Sequence, residues 1–401
     1  MVRIINWSFQ NMGPKRPIFL SGSNLAASGI SFLSLSFYLE QNGFATFGEF
    51  AFVQAVLAVF VSAQSVMFTS GFFKSQNEEK SPLILTLLIF CALLSLFFVS
   101  ALSAFDLAPT LAILLAISST FDNVLSSFAL SQGVSKFTVT KSIISKVLFW
   151  PGICVFGLYA DLSLNFLITV NFAVSFCVLM ATYYIFSRSY PQAKFGLKFR
   201  FSETYRYLRS NLGDFPTTLT SLLQNYTSSM IIFLSSSIFG PEYGGVSAYT
   251  LRLFTLCSDI NVAFRDRFVA QIFSQEQMSF SDQFSLVCRA VKAPLVLYAI
   301  VILVGYFLSR LYFPNLVEPF ILFSWGALIP ASHMFGSYFT YHVYQLRLNS
   351  AFMGLEIAKL CSIYVVTSLL NSLHFWFLTF AILELIILLT RIKLISKKMK
   401  T

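Results

Sequence analysis

Residues 246–271 read VSAYTLRLFTLCSDINVAFRDRFVAQ. Most of this stretch is apolar enough to lie in lipid, yet Arg252 and Asp259 sit well inside it. A charge near the bilayer centre costs at least about 2.5–3.5 kcal/mol on insertion scales, so it persists only against a partner or a watery cavity. Seven positions apart on a helix, the two residues share a face and stand about 10 Å apart along the axis. They are too distant to pair with each other, so each needs another helix, water or a ligand. The segment therefore reads as the polar wall of a pathway through a membrane.

The rest of the chain agrees with that setting. Of 401 residues, 56% are hydrophobic and only 11% charged, against about 25% charged in a soluble domain. The apolar stretches run roughly 20–25 residues, the length a helix needs to cross about 30 Å of hydrocarbon. They are not the short alternating strands of a barrel. The fold expected is all-α and polytopic, with about twelve transmembrane helices in two pseudo-symmetric six-helix bundles. The spans fall near 17–39, 47–72, 82–105, 108–131, 138–160, 162–186, 208–238, 245–271, 290–311, 316–340, 349–371 and 373–395. Pro151 and Pro330 lie inside spans, where kinks are expected.

The net charge of +10 is distributed between spans, not along one face. Arg3, Lys15, Arg16, Lys74, Lys136, Arg188, Arg265, Arg347 and Lys397 fall on one side, and Glu40, Asp106, Asp161, Glu242 and Glu318 on the other. This is the positive-inside pattern, with both termini cytoplasmic and no role for nucleic acid. The six cysteines lie in or beside apolar segments without a CxxC pair, and read as packing residues. No metal or cofactor site is expected. The first apolar stretch is too long for a signal sequence and reads as an uncleaved first helix.

The basic segment 188–206 divides the chain into an N-terminal lobe, 1–187, and a C-terminal lobe, 207–401. Its mixed aromatics and cations suit either an amphipathic segment on the anionic inner leaflet or a solvated linker. The halves also resemble each other. Asn42-Gly43 closes the first span and Phe47-Gly48 opens the second; Phe239-Gly240 closes the seventh and Tyr243-Gly244 opens the eighth. Phe47-Gly48 and Tyr243-Gly244 stand 196 positions apart. Six spans per half give parallel repeats, an arrangement that places a site between the halves near the midplane.

Candidate chemistry is sparse. There is no P-loop, HExxH or GxSxG, so neither nucleotide-driven pumping nor hydrolysis is indicated. Arg252 suits an anionic headgroup, since guanidinium stays charged and binds phosphate bidentately. Asp259 suits a proton or sodium ion. Inter-helix salt bridges are the plainer alternative for both. Glu356 and Lys359 form an i,i+3 pair, and Glu384 in the last span lies within reach of Lys359. These three read either as a charge cluster holding two helices together or as a proton relay. Asn24, Gln54, Gln224 and Asn225 place amides in spans one, two and seven, where each must find a hydrogen-bond partner. Spans one, two, seven and eight thus form the polar subset, and uncharged amides suit sugar recognition.

With its length, its two six-helix halves, its basic central linker and the run Gly43-x-x-x-Phe47-Gly48-x-Phe50, the chain resembles the Wzx-type polysaccharide (O-antigen) flippases. These belong to the multidrug/oligosaccharidyl-lipid/polysaccharide exporter (MOP) superfamily. The resemblance implies a bacterial inner-membrane protein that moves an undecaprenyl-diphosphate-linked oligosaccharide from the cytoplasmic to the periplasmic leaflet, without covalent chemistry. It implies Arg252 as the diphosphate ligand, proton or sodium coupling, surrounding membrane lipids and the polysaccharide polymerase machinery as partners. The chain departs from the family pattern in carrying no charge between Arg16 and Glu40. The leading alternative is a cation-coupled multidrug antiporter of the same superfamily, which would require carboxylates in the cavity of the first half. A membrane glycosyltransferase would need a long outer loop, and a scaffold would not need buried charge.

Overall fold

A computed structural model describes residues 16–74, 118–119, 135–157, 163–189, 202, 215–252, 280–314, 348–369 and 373–400. All regular structure among the described residues is helical. In chain order the elements are α1 (Arg16–Asn42), α2 (Ala45–Lys74), α3 (Ser135–Gly157), α4 (Leu164–Ser189), α5 (Phe215–Phe239), α6 (241–252), α7 (Phe280–Tyr312), α8 (Asn349–Leu369) and α9 (Leu373–Lys400). They match the expected first, second, fifth to ninth, eleventh and twelfth spans. The main difference is α7, which begins ten residues before the apolar run. Its first turns carry Asp282 and Arg289, so the helix continues into the polar interface. Pro151 lies inside α3. Spans three and ten, including Pro330, lie outside the described residues, as do span four except residues 118–119 and most of the basic linker.

The chain divides into two compact units, Leu33–Gly245 and Val246–Thr401 with Val2–Phe32. In the first, α2 packs along α5 and α4, and α3 along α4. Its centre is aromatic. Trp150 is 1% exposed and meets Tyr38, Phe47, Phe50 and Phe149 at centroid distances of 4.9–6.1 Å. Tilted and edge-to-face rings of this kind add to their area burial. The Phe47-Gly48-x-Phe50 run is thus a core element, with both phenylalanines fully buried. Phe52 stacks on Phe233 at 5.1 Å and ties α2 to α5.

Two helical hairpins, α1–α2 and α5–α6, turn on glycines in the left-handed region, Gly43 at φ 72° and Gly240 at φ 101°. Each glycine N–H donates to the carbonyl four residues back, Gly43 to Leu39 at 2.9 Å and Gly240 to Ser236 at 3.1 Å. This is the single-bond left-handed cap that closes a helix where a side chain would strain the backbone. Gly43→Ala is therefore expected to destabilise the protein by about 1–2 kcal/mol, read as an earlier thermal unfolding in detergent. No Cβ clash contributes there, since the space around Gly43 is open.

In the second unit, α7, α8 and α9 each have one buried and one apolar exposed face. On α9, Trp376, Phe380, Glu384, Ile387 and Ile395 are buried, while Leu378, Ile382, Leu385 and Leu389 are exposed. On α7, Val296, Ile300, Leu303, Phe307 and Leu311 are all exposed. A continuous helical stripe of large exposed apolar side chains is what lipid, not water, stabilises. Val287, Val291, Phe352 and Ile395 form the apolar contact joining α7, α8 and α9. Phe32 stacks on Tyr249 at 4.8 Å, and Tyr249 meets Phe313 edge-on at 5.9 Å.

Candidate functional site

The buried face of α8 repeats as Phe352, Glu356, Lys359 and Ile363, spacings of four, three and four that keep all four on the core side. The facing stripe of α9 carries Glu384 and, seven residues on, Arg391. Helix periodicity alone therefore delivers two carboxylates and two cations to one seam. There Lys359 Nζ lies 2.6 Å from Glu356 Oε2 and 2.6 Å from Glu384 Oε1, to which it donates a hydrogen bond. Arg391 Nη2 donates to the other oxygen of Glu356. The Arg391 guanidinium also rests over the Phe352 ring, 5.2 Å from its centroid, a cation–π contact.

The exposures show how this network is placed. Glu356 is 1% exposed, Lys359 2% and Glu384 4%, whereas the Arg391 side chain is 18% exposed. Along α9, Glu384 lies about 16 Å from the Leu373 end and Arg391 about 27 Å from it. The charges alternate Arg391, Glu356, Lys359, Glu384 from the basic end of the helices toward the middle. Formally they sum to zero, which is the condition for holding ions in a low-dielectric seam. A proton on Glu384 would remove one of the two anions sharing Lys359 and leave the seam positively charged.

The structure thus brings Glu356, Lys359 and Glu384 together, the three expected to cluster, and adds Arg391. In sequence Arg391 groups with the basic terminus. The signal that finds it is periodicity, because positions 376, 380, 384, 387, 391 and 395 continue one face through the charged run. The other candidates stand apart from this network in sequence and element. Arg252 is half-buried at the end of the described part of α6, and Asn24 on α1 and Gln54 on α2 are also half-buried. Gln224 and Asn225 lie on α5, but their side chains fall outside the described residues, as does all of Asp259.

Similarity to solved structures extends over the whole chain. A MOP superfamily transporter from Pyrococcus furiosus superposes with a TM-score of 0.60 at 12% identity, covering 100% of this chain and 98% of the other. A multidrug resistance MATE family transporter in an outward-facing conformation gives 0.58 at 12% identity, with 100% and 98% covered. The MATE multidrug transporter DinF-BH gives 0.57 at 14% identity, with 96% and 95% covered. No family model and no curated protein sequence matches. At these identities the likeness is one of architecture: the chain has the all-α, polytopic membrane fold of the MATE transporters of the MOP superfamily.

Proposed function

We propose that this protein is a cation-coupled exporter of amphipathic solutes that works by alternating access, with the α8–α9 charge network as its ion-responsive element. The observation that carries this reading is the end-to-end match to transporters of one fold. The network supplies what such a cycle needs. Among the described residues, Glu356 and Glu384 are the only carboxylates buried within helices. A buried carboxylate is the side chain that most directly takes up a proton or a sodium ion, and coupling in this reading acts through one of these two. Glu384→Gln is expected to keep the fold, because the amide still accepts from Lys359, but to abolish the response of flux to an ion gradient.

A second reading is favoured by a specific feature. The spans carry Arg252 on α6 and Lys141 on α3, and no acidic residue lies between Arg16 and Glu40 on α1. Cations within spans, together with a first helix that lacks carboxylates, suit an anionic cargo. That cargo is the diphosphate of a lipid-linked oligosaccharide held by Arg252, with the amides of Asn24, Gln54, Gln224 and Asn225 against its sugars. The location that goes with this reading is a bacterial inner membrane with both termini cytoplasmic and lobes 1–187 and 207–401. Purified protein in liposomes separates the two readings. Gradient-driven ethidium flux with no movement of a fluorescent polyprenyl-diphosphate sugar supports the exporter. Flipping of the lipid probe that is lost in Arg252→Ala supports the second reading, and movement of neither probe by inserted protein overturns both.

A further inference from the structure

The outward face of α7 is polar at its start and apolar along the rest. Ser285, Arg289 and Lys292 are exposed, and Val296, Ile300, Leu303 and Phe307 continue the exposed face. Their spacings of four, three, four, four, three and four keep all of them on one stripe. The opposite stripe, Phe280, Phe284, Val287 and Val291, packs against Phe352 of α8 and Ile395 of α9. That contact also sets the level of the polar end. Ile395 lies between Lys393 and Lys397, so the start of α7 and the basic end of α9 share one membrane face. At its other end α7 carries the exposed Arg310 in the last turn. Lys292 and Arg310 stand about 27 Å apart along the axis, nearly the thickness of the hydrocarbon layer. The apolar stripe therefore spans the acyl region, and Arg289 and Lys292 sit at the depth of the lipid phosphates. Among the described residues neither cation forms an ion pair. Asp282 lies two turns further from the membrane centre, about 10 Å from Arg289 along the helix.

We propose that this face of α7 is a docking site for one anionic phospholipid, with its phosphate on Arg289 and Lys292 and an acyl chain along Val296, Ile300, Leu303 and Phe307. The site holds whichever cargo the protein moves. Any cation between spans satisfies the positive-inside pattern. Here a hydroxyl, a guanidinium and an ammonium occupy successive positions of the very stripe that lipid covers. Arg289 and Lys292 are i,i+3 neighbours, close enough to share one phosphate. The guanidinium offers a bidentate fork, the ammonium a point charge, and the Ser285 hydroxyl a donor to the rest of the headgroup. A zwitterionic headgroup brings its own cation to the same place, so the complementary partner is a net anion. The outward face of α9 provides the contrast. Ile382, Leu389 and Lys393 are exposed there too, but the arginine of that segment, Arg391, is turned inward onto Glu356. That face therefore presents ammonium groups without a fork.

The test titrates the protein in detergent micelles with phosphatidylglycerol and with phosphatidylcholine of the same chains, and counts bound lipid by native mass spectrometry. The first lipid is expected to bind with about thirtyfold preference for phosphatidylglycerol, the effect of two cations at a lipid surface. Arg289→Gln with Lys292→Gln removes the preference. Lys393→Gln with Lys397→Gln takes the same charge from the same end of the molecule and leaves the preference intact. Should the first double variant fail to insert, Arg289→Lys decides: it keeps the charge without the fork and lowers the preference severalfold. Glycerol phosphate at the concentration of the lipid does not displace it, because the chain is part of the contact. Equal loss in the two double variants would mean diffuse attraction and overturns the site, as does wild-type protein without a preference or an Arg289→Lys variant with an undiminished one. Displacement by glycerol phosphate overturns the lipid in favour of a free phosphate.

Discussion

Lys359→Met is expected to lower the stability of the protein by about 3–5 kcal/mol, the loss seen when one partner of a buried ion pair is removed. Lys359 is held between two carboxylates at 2.6 Å each, and methionine fills much of its volume while supplying no charge. Glu384 then faces an apolar seam without its cation, and Glu356 keeps only Arg391. The desolvation penalty of the stranded carboxylate, not the lost attraction, dominates the effect. Two further variants make the prediction specific. The double variant Lys359→Met with Glu384→Gln is expected to recover most of the loss, since it removes the stranded charge while Glu356 retains Arg391. The coupling energy from that cycle isolates the pair. Thermal unfolding of detergent-solubilised protein reads all three variants. Additive losses would show that the two residues do not share a seam.

Trp150→Ala is expected to cost a comparable amount, about 3–5 kcal/mol, from lost transfer energy and the cavity left behind. Trp150 meets Tyr38 of α1, Phe47 and Phe50 of α2, and its neighbour Phe149. Truncation therefore loosens three helices of the first unit at once, including the two that form the α1–α2 hairpin. Tyr184→Ala on α4, whose side chain is 54% exposed on an apolar surface, is the control and should move unfolding by less than about 0.5 kcal/mol. Near-ultraviolet dichroism reports the loss of fixed aromatic packing in the first variant and not in the second. Equal stability of the two variants would mean that the aromatic cluster is not the core of its unit.

Much of this architecture was legible because lipid imposes a simple rule. A helix that must satisfy its backbone internally needs about 20 apolar residues, and that length is visible in any sequence. The start of α7 was less legible, because Asp282 and Arg289 fall before the apolar run although a helix passes readily from interface to hydrocarbon. The α8–α9 network was partly legible. Glu356 and Lys359 announce themselves by i,i+3 spacing, and Glu384 by its place in an apolar run. Arg391 was hidden in a basic tail in which Lys393, Lys397 and Lys398 are exposed. What separates it from them is the α9 periodicity carried on into the charged run. The close backbone approach of Gly48 to Pro241 and Gly245, where a Cβ on Gly48 would stand 1.7 Å from the Pro241 carbonyl oxygen, was illegible in a different way. Close backbone approach leaves no side-chain signature except glycine itself, and Gly244 and Gly245 are adjacent in the chain.

Flux of ethidium through liposomes bearing the wild-type protein and Glu384→Gln, with and without an imposed proton or sodium gradient, tests the coupled-export account most directly. A hundredfold gradient of either ion is worth about 2.7 kcal/mol, which one-for-one exchange with a monovalent dye converts into about hundredfold accumulation. The account predicts wild-type accumulation that rises toward that limit under one of the two gradients, and Glu384→Gln protein that equilibrates the dye without concentrating it. Wild-type accumulation indifferent to both gradients, or an undiminished response in Glu384→Gln, would contradict it.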